Sequence, residues 1–250
     1  MKNIMKADLH NHSYYSDGLL SPSEVVRMAS KANCDLFSLT DHDTTDGIEE
    51  ARLEADKAGL SLVNGVEISA FWRNMAIHIV GLGVDIDNDM LQNGLKHNRD
   101  LRKGRAEKIA LGLMRSGIKE PLEKAQNLSG GHMLTRTHFA QMLINEGYCK
   151  DMKAVFRRYL SGKKPGGVRV EWKNYGEVIK WIKSAGGMAF IAHPFRYRMT
   201  HTKIKNMIAD FKDASGDGFE VVNANSSEEE IILGSQWSED YDLLVSCGSD

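Results

Sequence analysis

Short apolar runs of β type alternate along the chain with stretches whose apolar residues recur at helical spacing. The β-like runs are Met5–Leu9, Leu36–Thr40, Leu60–Ile68, Ala76–Leu82, Met188–Ala192, Phe219–Asn223 and Leu243–Cys247. One helix is predicted to open at Ser21-Pro22-Ser23-Glu24 and to continue through Val25, Val26, Met28 and Ala29. Ser21 suits the N-cap, Pro22 the first helical position and Glu24 the acidic first turn. Further helices are predicted over Thr44–Ala58, Tyr175–Ala185, Ile204–Ala214 and Ser227–Glu239. Strands alternating with helices over short links predict parallel pairing. Seven strands beginning at the N-terminus predict an α/β fold of the (β/α) barrel type, one strand short of eight. A flat doubly wound sheet is the alternative, and it would gather functional strand ends at one crevice instead of around a ring.

The alternation breaks between Arg99 and Pro165. Ile109 and Leu113 lie one helical turn apart, as do Phe139 and Leu143, and Met152, Val155, Phe156 and Tyr159 follow the i, i+3, i+4, i+7 rule. This predicts an all-helical insertion of three to four helices over 99–165, with loops at Gly130-Gly131 and Pro165-Gly166-Gly167, set into a barrel made of 1–98 and 166–250. Charge follows the same division. From Arg99 to Lys173 there are 17 Lys/Arg against 7 Asp/Glu, a balance of +10, leaving 15 against 27, or −12, elsewhere. An acidic body with a basic insert suits a metal-binding core facing an anionic substrate, and a solvated helical surface is the plainer alternative.

Composition narrows the class. Apolar content of 42% and charged content of 26% are ordinary for a globular domain of 250 residues. No apolar stretch approaches the roughly 20 residues of a membrane span, and the first six residues lack a signal-peptide core. Cys34, Cys149 and Cys247 are odd in number and widely spaced, which argues against a disulfide framework and a thiolate zinc site. A reducing, cytoplasmic setting is expected, with no membrane association and no obligate protein partner.

Chemistry in a parallel barrel sits at the C-terminal strand ends. The first strand leads into Asp8-Leu9-His10-Asn11-His12, where period-two spacing aims one carboxylate and two imidazoles to one side, and then to Asp17. The second ends in Thr40-Asp41-His42-Asp43 and the third in Gly65-Val66-Glu67-Ile68-Ser69. The fourth contains His78, the fifth runs into His193-Pro194 and the seventh into Gly248-Ser249-Asp250. Only the sixth, ending at Asn223, lacks a strong ligand. A lone strand histidine reads most simply as a satisfied core residue, but six of seven strand ends carrying such groups is a pattern. Imidazole and carboxylate without thiolate suit Mn²⁺, Fe²⁺ or Zn²⁺. The groups outnumber one ion's needs, so two or three ions sharing a carboxylate are expected. Clustered ions serve hydrolysis at phosphorus by polarising phosphoryl oxygens, acidifying a bridging water and stabilising the leaving oxygen.

These motifs resemble the polymerase-and-histidinol-phosphatase superfamily of phosphoesterases over nearly the whole chain. The helical insertion, Leu134-Thr135-Arg136-Thr137-His138-Phe139-Ala140 and His193-Pro194-Phe195-Arg196-Tyr197 are most similar to the branch containing RNase AM and the 3′,5′-nucleotide bisphosphate phosphatases. The resemblance implies a distorted seven-stranded barrel holding three divalent ions, commonly manganese. His10, His12, Glu67 and Asp250 would hold the first, and Glu67, His78 and His193 the second. Asp17 and His42 would hold the third, together with a histidine two residues after Gly-Ser-Asp. The sequence stops at Asp250 and reads as cut short there, which leaves the third position with Asp17 and His42. Glu67, His193, Asp17 and His42 are the expected catalytic groups.

Arginine binds phosphate through a planar fork of donors. Arg99, Arg102 and Arg105 recur every three residues, and Arg136 and His138 open the next segment. Lys164 lies in the exit loop, and Arg196 follows His193-Pro194. The residues expected to bind substrate are Arg99, Arg102, Arg136, His138, Lys164 and Arg196; Arg105, Lys108, Arg157 and Arg158 are read as surface charges. Asp41 and Asp43 flank His42, where one could orient its ring and Asp43 could equally cap the helix beginning at Thr44. Tyr14, Tyr15, Phe195 and Tyr197 could stack on a base, with core or rim packing as the plainer reading. The expected reaction removes the 3′-phosphate of a nucleoside 3′,5′-bisphosphate or trims the 5′ end of short RNA. The alternatives are a histidinol-phosphatase-like phosphomonoesterase and a non-catalytic metal-binding accessory domain.

Overall fold

The computed structural model describes residues 5–197 and 199–250, so the first four residues of the expected barrel segment and Arg198 lie outside the described residues. Strands β1 (Ala7–Asp8), β2 (Leu36–Phe37) and β3 (Ser61–Leu62) pair in parallel in that order. Strands β4 (Gly65–Trp72), β5 (Met75–Leu82), β6 (Met188–Ile191), β7 (Gly218–Val222) and β8 (Leu244–Cys247) form a second sheet in sequence order. The expected single ring of seven parallel strands is therefore corrected to two sheets of three and five strands.

The reason is local. A parallel pair needs a crossover of a dozen or more residues, but β4 and β5 are joined only by Arg73 and Asn74. Both adopt positive φ, 42° and 66°, as a two-residue hairpin turn requires. β4 and β5 consequently pair antiparallel, as do β5 and β6, whereas β6, β7 and β8 pair in parallel. The run Leu60–Ile68 also divides. Val63 N–H still bonds Phe37 O at 2.8 Å, while Gly83 N–H bonds Asn64 O at 2.8 Å, so the chain leaves one sheet for the other between them. Single backbone bonds tie the sheet edges together. Leu9 N–H donates to Cys247 O at 3.0 Å, and His42 and Glu67 form an isolated parallel bridge.

Helix α1 (Pro22–Lys31) starts at the predicted N-cap Ser21, which forms a reciprocal capping box with Glu24. Helix α2 (Ile48–Ala58) starts later than predicted, because Asp43 is left-handed and Thr44 Oγ1 accepts from Asp46 N–H, which holds this stretch as turns. In the insertion, α3 (Asp89–Arg115), α4 (Pro121–Leu128), α5 (Arg136–Asn145) and α6 (Met152–Val155) follow one another, and α6 passes into a π-helical turn over Phe156–Leu160. Helices α7 (Tyr175–Ser184), α8 (His201–Asp213) and α9 (Glu228–Tyr241) return to the sheet.

Two main cores result. Val66, Ile68 and Ile79 from the sheet pack with Leu91, Leu95, Trp181, Ile208, Phe211 and Trp237 from the helices. A separate core joins Ala106, Ile109 and Leu113 to Phe139, Leu143 and Val155 inside the insertion. Helix α3 runs unbroken through residue 99, with its first half in one core and its second half in the other. Each fully buried Leu, Ile or Phe contributes about 1.5–3 kcal/mol, so the insertion has its own apolar drive to pack. No helix among the described residues is long and apolar enough to cross a membrane.

Candidate metal centre and anion pocket

Glu67, completely buried on β4, is the hub of the predicted strand-end residues. Its Oε1 lies 3.3 Å from His10 Nε2, 2.9 Å from His78 Nδ1 and 3.1 Å from His193 Nε2. Its Oε2 lies 2.6 Å from His42 Nδ1 and 3.5 Å from His12 Nε2. Asp250 Oδ1 stands 3.1 Å from His12 Nε2 and 3.7 Å from His10 Nε2, and Asp17 Oδ2 stands 3.8 Å from His42 Nε2. Three groups bring their ligand atoms within 4.8 Å of one another: His10, His12 and Glu67; His12, Asp17 and His42; His42, Glu67 and His78. All eight residues expected to bind metal thus meet in one place, although Glu67 and His78 lie within β4 and β5, His10, His12, His42, His193 and Asp250 follow β1, β2, β6 and β8, and Asp17 lies in a loop.

The backbone explains why. Strand β1 is only two residues long, so period-two alternation lapses after Asp8. Its carboxylate turns away to accept from Ser249 N–H at 2.9 Å instead of joining the histidines. Gly248 presses against His10, where a side chain would collide with the histidine's Cβ and backbone. His193 is held left-handed at φ 32°, a sparsely populated state that persists only where its surroundings enforce it.

Carboxylates outside the cluster fix this geometry. Glu220 on β7, completely buried, has Oε1 2.5 Å from His10 Nδ1, and its Oε2 accepts from His193 N–H at 2.6 Å. It was not anticipated, although a glutamate inside the apolar run Phe219–Asn223 was a visible signal. Asp41 accepts from Ser13 N–H, Ser13 Oγ and Ser16 Oγ at 2.8, 2.6 and 2.6 Å, clamping the loop that leads to Asp17. Asp43 neither caps α2 nor touches the His42 ring. It accepts from Ser69 N–H and Asn98 Nδ2 at 2.9 and 2.8 Å and pairs with Arg102 Nε at 2.6 Å, which ties α3 to the loop after His42.

Burial and charge oppose each other here. Burial alone would raise Glu67, but His42, His78 and His10 hold its carboxyl well below the usual range. Burial would lower His10, yet Glu67 and Glu220 carry it well above its ordinary value. Burial likewise opposes the rise of His12 to about 9, which the hydrogen bond to Asp250 and the charge of Glu67 produce. Burial wins at His78 and pulls it down to about 4 despite Glu67.

His12 and His193 hydrogen-bond Asp250 and Glu67, but several of the other close contacts lack hydrogen-bond geometry. His10 Nε2, His42 Nδ1, Glu67 Oε2, His78 Nδ1 and His193 Nδ1 are buried without a hydrogen-bond partner, an arrangement that is costly unless something else binds these atoms. Imidazole and carboxylate donors converging without hydrogen-bond geometry fit divalent cations. None of the three free cysteines belongs to these groups.

Beside the cluster lies a cavity of about 550 Å³, lined by Asp17, His42 and His78 on one side and by Arg102, Arg105 and Arg136 on the other. Arg102 is engaged with Asp43 and, through Nη2, with Ser69 Oγ at 2.8 Å. Arg105, read from the sequence as a surface charge, is drawn into the cavity wall instead. Its Nε is buried without a partner, and burial, with Arg136 and Arg102 nearby, pushes its pKa down to about 9. Arg136 is exposed, yet desolvation of its guanidinium at the cavity wall, with Arg102 nearby, lowers its pKa against the pull of Asp17; it stands 5.6 Å from the Phe156 ring and like Arg105 forms no ion pair among the described residues. The period-three count identified Arg105, but only the separate packing of the insertion decides which side of α3 is covered.

The other expected substrate residues divide. Arg99 donates from Nη1 to Asp43 O at 3.0 Å and lines a different cavity. His138 closes the capping box of α5, its Nδ1 accepting from Thr135 N–H at 3.1 Å. Lys164 is exposed on the loop whose Ser161, Gly162 and Gly167 reach the cavity. Arg196 pairs with the Asp250 carboxylate. Lys108, Arg157 and Arg158 are exposed, as expected.

The PHP domain profile matches residues 8–221, and the fold and site together define a phosphoesterase: the chain belongs to the PHP-domain family. It is 41% identical over its full length to a 3′,5′-nucleoside bisphosphate phosphatase of Chromobacterium violaceum, covering 87% of that protein. It is 39% identical over 98% of its length to a 5′-3′ exoribonuclease of Haemophilus influenzae, covering 89% of that protein. Among solved structures, an amidohydrolase from Chromobacterium violaceum with bound sulfate and no metal superposes with a TM-score of 0.94 at 41% identity, matching 98% of this chain and 87% of that one.

Proposed function

We propose that the chain hydrolyses the 3′-phosphate ester of nucleoside 3′,5′-bisphosphates and, by the same bond cleavage, releases the 5′-terminal nucleotide of short 5′-phosphorylated RNA. In both substrates the scissile phosphate hangs on the 3′ oxygen of a nucleoside that also carries a 5′-phosphate. The observation that carries this reading is one cavity with two opposite walls. One wall has His42 and His78, each with a buried ring nitrogen that lacks a hydrogen-bond partner, beside the Asp17 carboxylate, and the other has Arg105 and Arg136, which form no ion pair among the described residues. Two relatives with these two activities support it.

The residues present would hold two or three divalent ions, and we take manganese as the resident metal, with iron or zinc as alternatives. His10, His12, Glu67 and Asp250 would hold one ion, Glu67, His78 and His193 a second, and Asp17 and His42 a third. When bound, such ions polarise the phosphoryl group, acidify water and stabilise the leaving oxygen. Glu67 and His193 orient the reacting phosphate, and Asp17 and His42 face its leaving side. Arg136 and Arg105 grip the 5′-phosphate and so fix which ester reaches the cluster. Glu220, Asp41 and Asp43 keep the ligands in place. Residues 99–165 close one side of the site, and the two sheets, joined by backbone bonds at their edges, act as the walls of a distorted barrel. The free cysteines suit a cytoplasmic setting.

Purified protein with Mn²⁺ should release phosphate from adenosine 3′,5′-bisphosphate and not from histidinol phosphate. Release from histidinol phosphate alone would move the chain to the phosphomonoesterase reading.

A further inference from the structure

A second cavity, of about 520 Å³, opens between the insertion and the loops that carry the metal-site residues, within the roughly 300–1,000 Å³ range of small-molecule sites. Tyr15 lines it two residues before Asp17, and Thr44 and Asp46 line it two and four residues after His42. It therefore begins where the loops of the cluster end, and it shares Arg102 as a wall with the first cavity. Its chemistry is divided. On one side His132, from the α4–α5 loop, stacks on Tyr14 with ring centroids 4.5 Å apart at 18° and leans on Tyr15 at 4.6 Å. On the other, Arg99 and Lys103 project from adjacent turns of α3. Two carboxylates, Asp46 and Glu107, complete the lining. The tyrosines are preorganised, because Asp41 clamps Ser13 and Ser16 on either side of them.

We infer that this cavity binds the second nucleotide unit of a single-stranded RNA, the one joined to the scissile phosphate through its own 5′ oxygen. The inference rests on the proposed reaction, since a free bisphosphate has no such unit. Aromatic faces beside basic side chains are the arrangement by which proteins hold single strands, with bases stacked and the backbone met by Lys and Arg. Tyr15 and His132 supply the stacking surface, Lys103 and Arg99 face the following phosphate, and Asp46 and Glu107 accept from ribose hydroxyls. The first cavity then takes the 5′-terminal nucleotide and the second takes the next, so affinity for RNA beyond that of a mononucleotide is supplied by residues that are not themselves metal ligands.

The test uses Lys103→Ala combined with His132→Ala. Fluorescence anisotropy with a 3′-labelled, 5′-phosphorylated hexaadenylate, in chelator to prevent turnover, should show the variant binding about tenfold more weakly than wild type, as expected from stacking worth about 1–3 kcal/mol per base. Hydrolysis of adenosine 3′,5′-bisphosphate should change by less than about twofold. Unchanged hexaadenylate binding would overturn the inference, and so would an equal loss on both substrates. A wild-type protein inactive on the bisphosphate would count against the proposed reaction, while the anisotropy difference would still decide this site.

Discussion

Glu67 is a buried carboxylate and Arg105 a half-buried guanidinium with a buried Nε, and the protein treats the two charges in opposite ways. Glu67 is surrounded by five imidazoles and held ionised well below the ordinary carboxylate range. Arg105 is pushed down to about 9 by desolvation and by the neighbouring Arg136 and Arg102, with no ion pair among the described residues. The carboxylate is compensated beyond its need, and the cation is left bare. Burying an uncompensated charge destabilises a fold, so neither arrangement is explained by stability. The excess of nitrogen donors around Glu67 suits cations added later, and the bare guanidiniums suit an anion. Glu67 sits behind His42 and His78, which line the same cavity as Arg105, so opposite ligands are suited to its two sides, as the proposed metal-assisted attack on a doubly phosphorylated substrate requires.

The strongest way to break this contrast is to remove its hub. Glu67→Ala should abolish turnover and lower bound metal measured by elemental analysis, because Glu67 touches every histidine of the cluster. Normal activity in this variant would refute the assignment. Next comes Asp43, which pairs with Arg102 away from solvent. Asp43→Asn should destabilise the protein by about 3–5 kcal/mol in urea unfolding, the usual cost of breaking a buried pair on one side. A change below about 1 kcal/mol would show that α3 is held by apolar packing alone.

On the opposite wall, Arg136→Ala should raise KM for a bisphosphate about ten- to a hundredfold, as charge-assisted contacts of about 1.5–3 kcal/mol imply, and much less for a generic phosphodiester. Equal losses on both substrates would make Arg136 structural. The smallest effect sharpens the comparison most. Arg105→Met removes a bare cation without opening a void, so thermal unfolding without added anion should occur a few degrees higher than in wild type, at about 2–4 °C per kcal/mol. Sulfate should stabilise wild type and barely affect the variant. A less stable Arg105→Met protein would mean that the guanidinium already has a partner.

These two walls were unequally legible in the sequence. Metal ligands announce themselves because strand ends in an α/β chain converge, so Asp8-Leu9-His10-Asn11-His12, Asp41-His42-Asp43 and His193-Pro194 could be grouped by their positions along the chain alone. The sheet topology could not be read as well. Whether Arg73-Asn74 makes a hairpin depends on two left-handed residues in a turn without glycine, and the strand pattern around it looks the same for either pairing. The second half of the site depends on which side of α3 is covered. Arg102, Arg105 and Lys108 follow one spacing, yet the first is paired with Asp43, the second faces a cavity and the third is in solvent. Local pattern fixes the face of a helix only when its partner is known, and here the partner is the rest of the insertion.

The measurement that tests the account most directly is the ratio of kcat/KM for adenosine 3′,5′-bisphosphate to that for adenosine 3′-monophosphate, which differ only in the 5′-phosphate. In wild type with Mn²⁺ the ratio should be at least about tenfold in favour of the bisphosphate, as one charge-assisted phosphate contact implies, and in Arg105→Met it should fall toward one. A wild-type ratio near one, or a ratio that Arg105→Met leaves unchanged, would contradict the claim that the bare guanidiniums are there for a second phosphate.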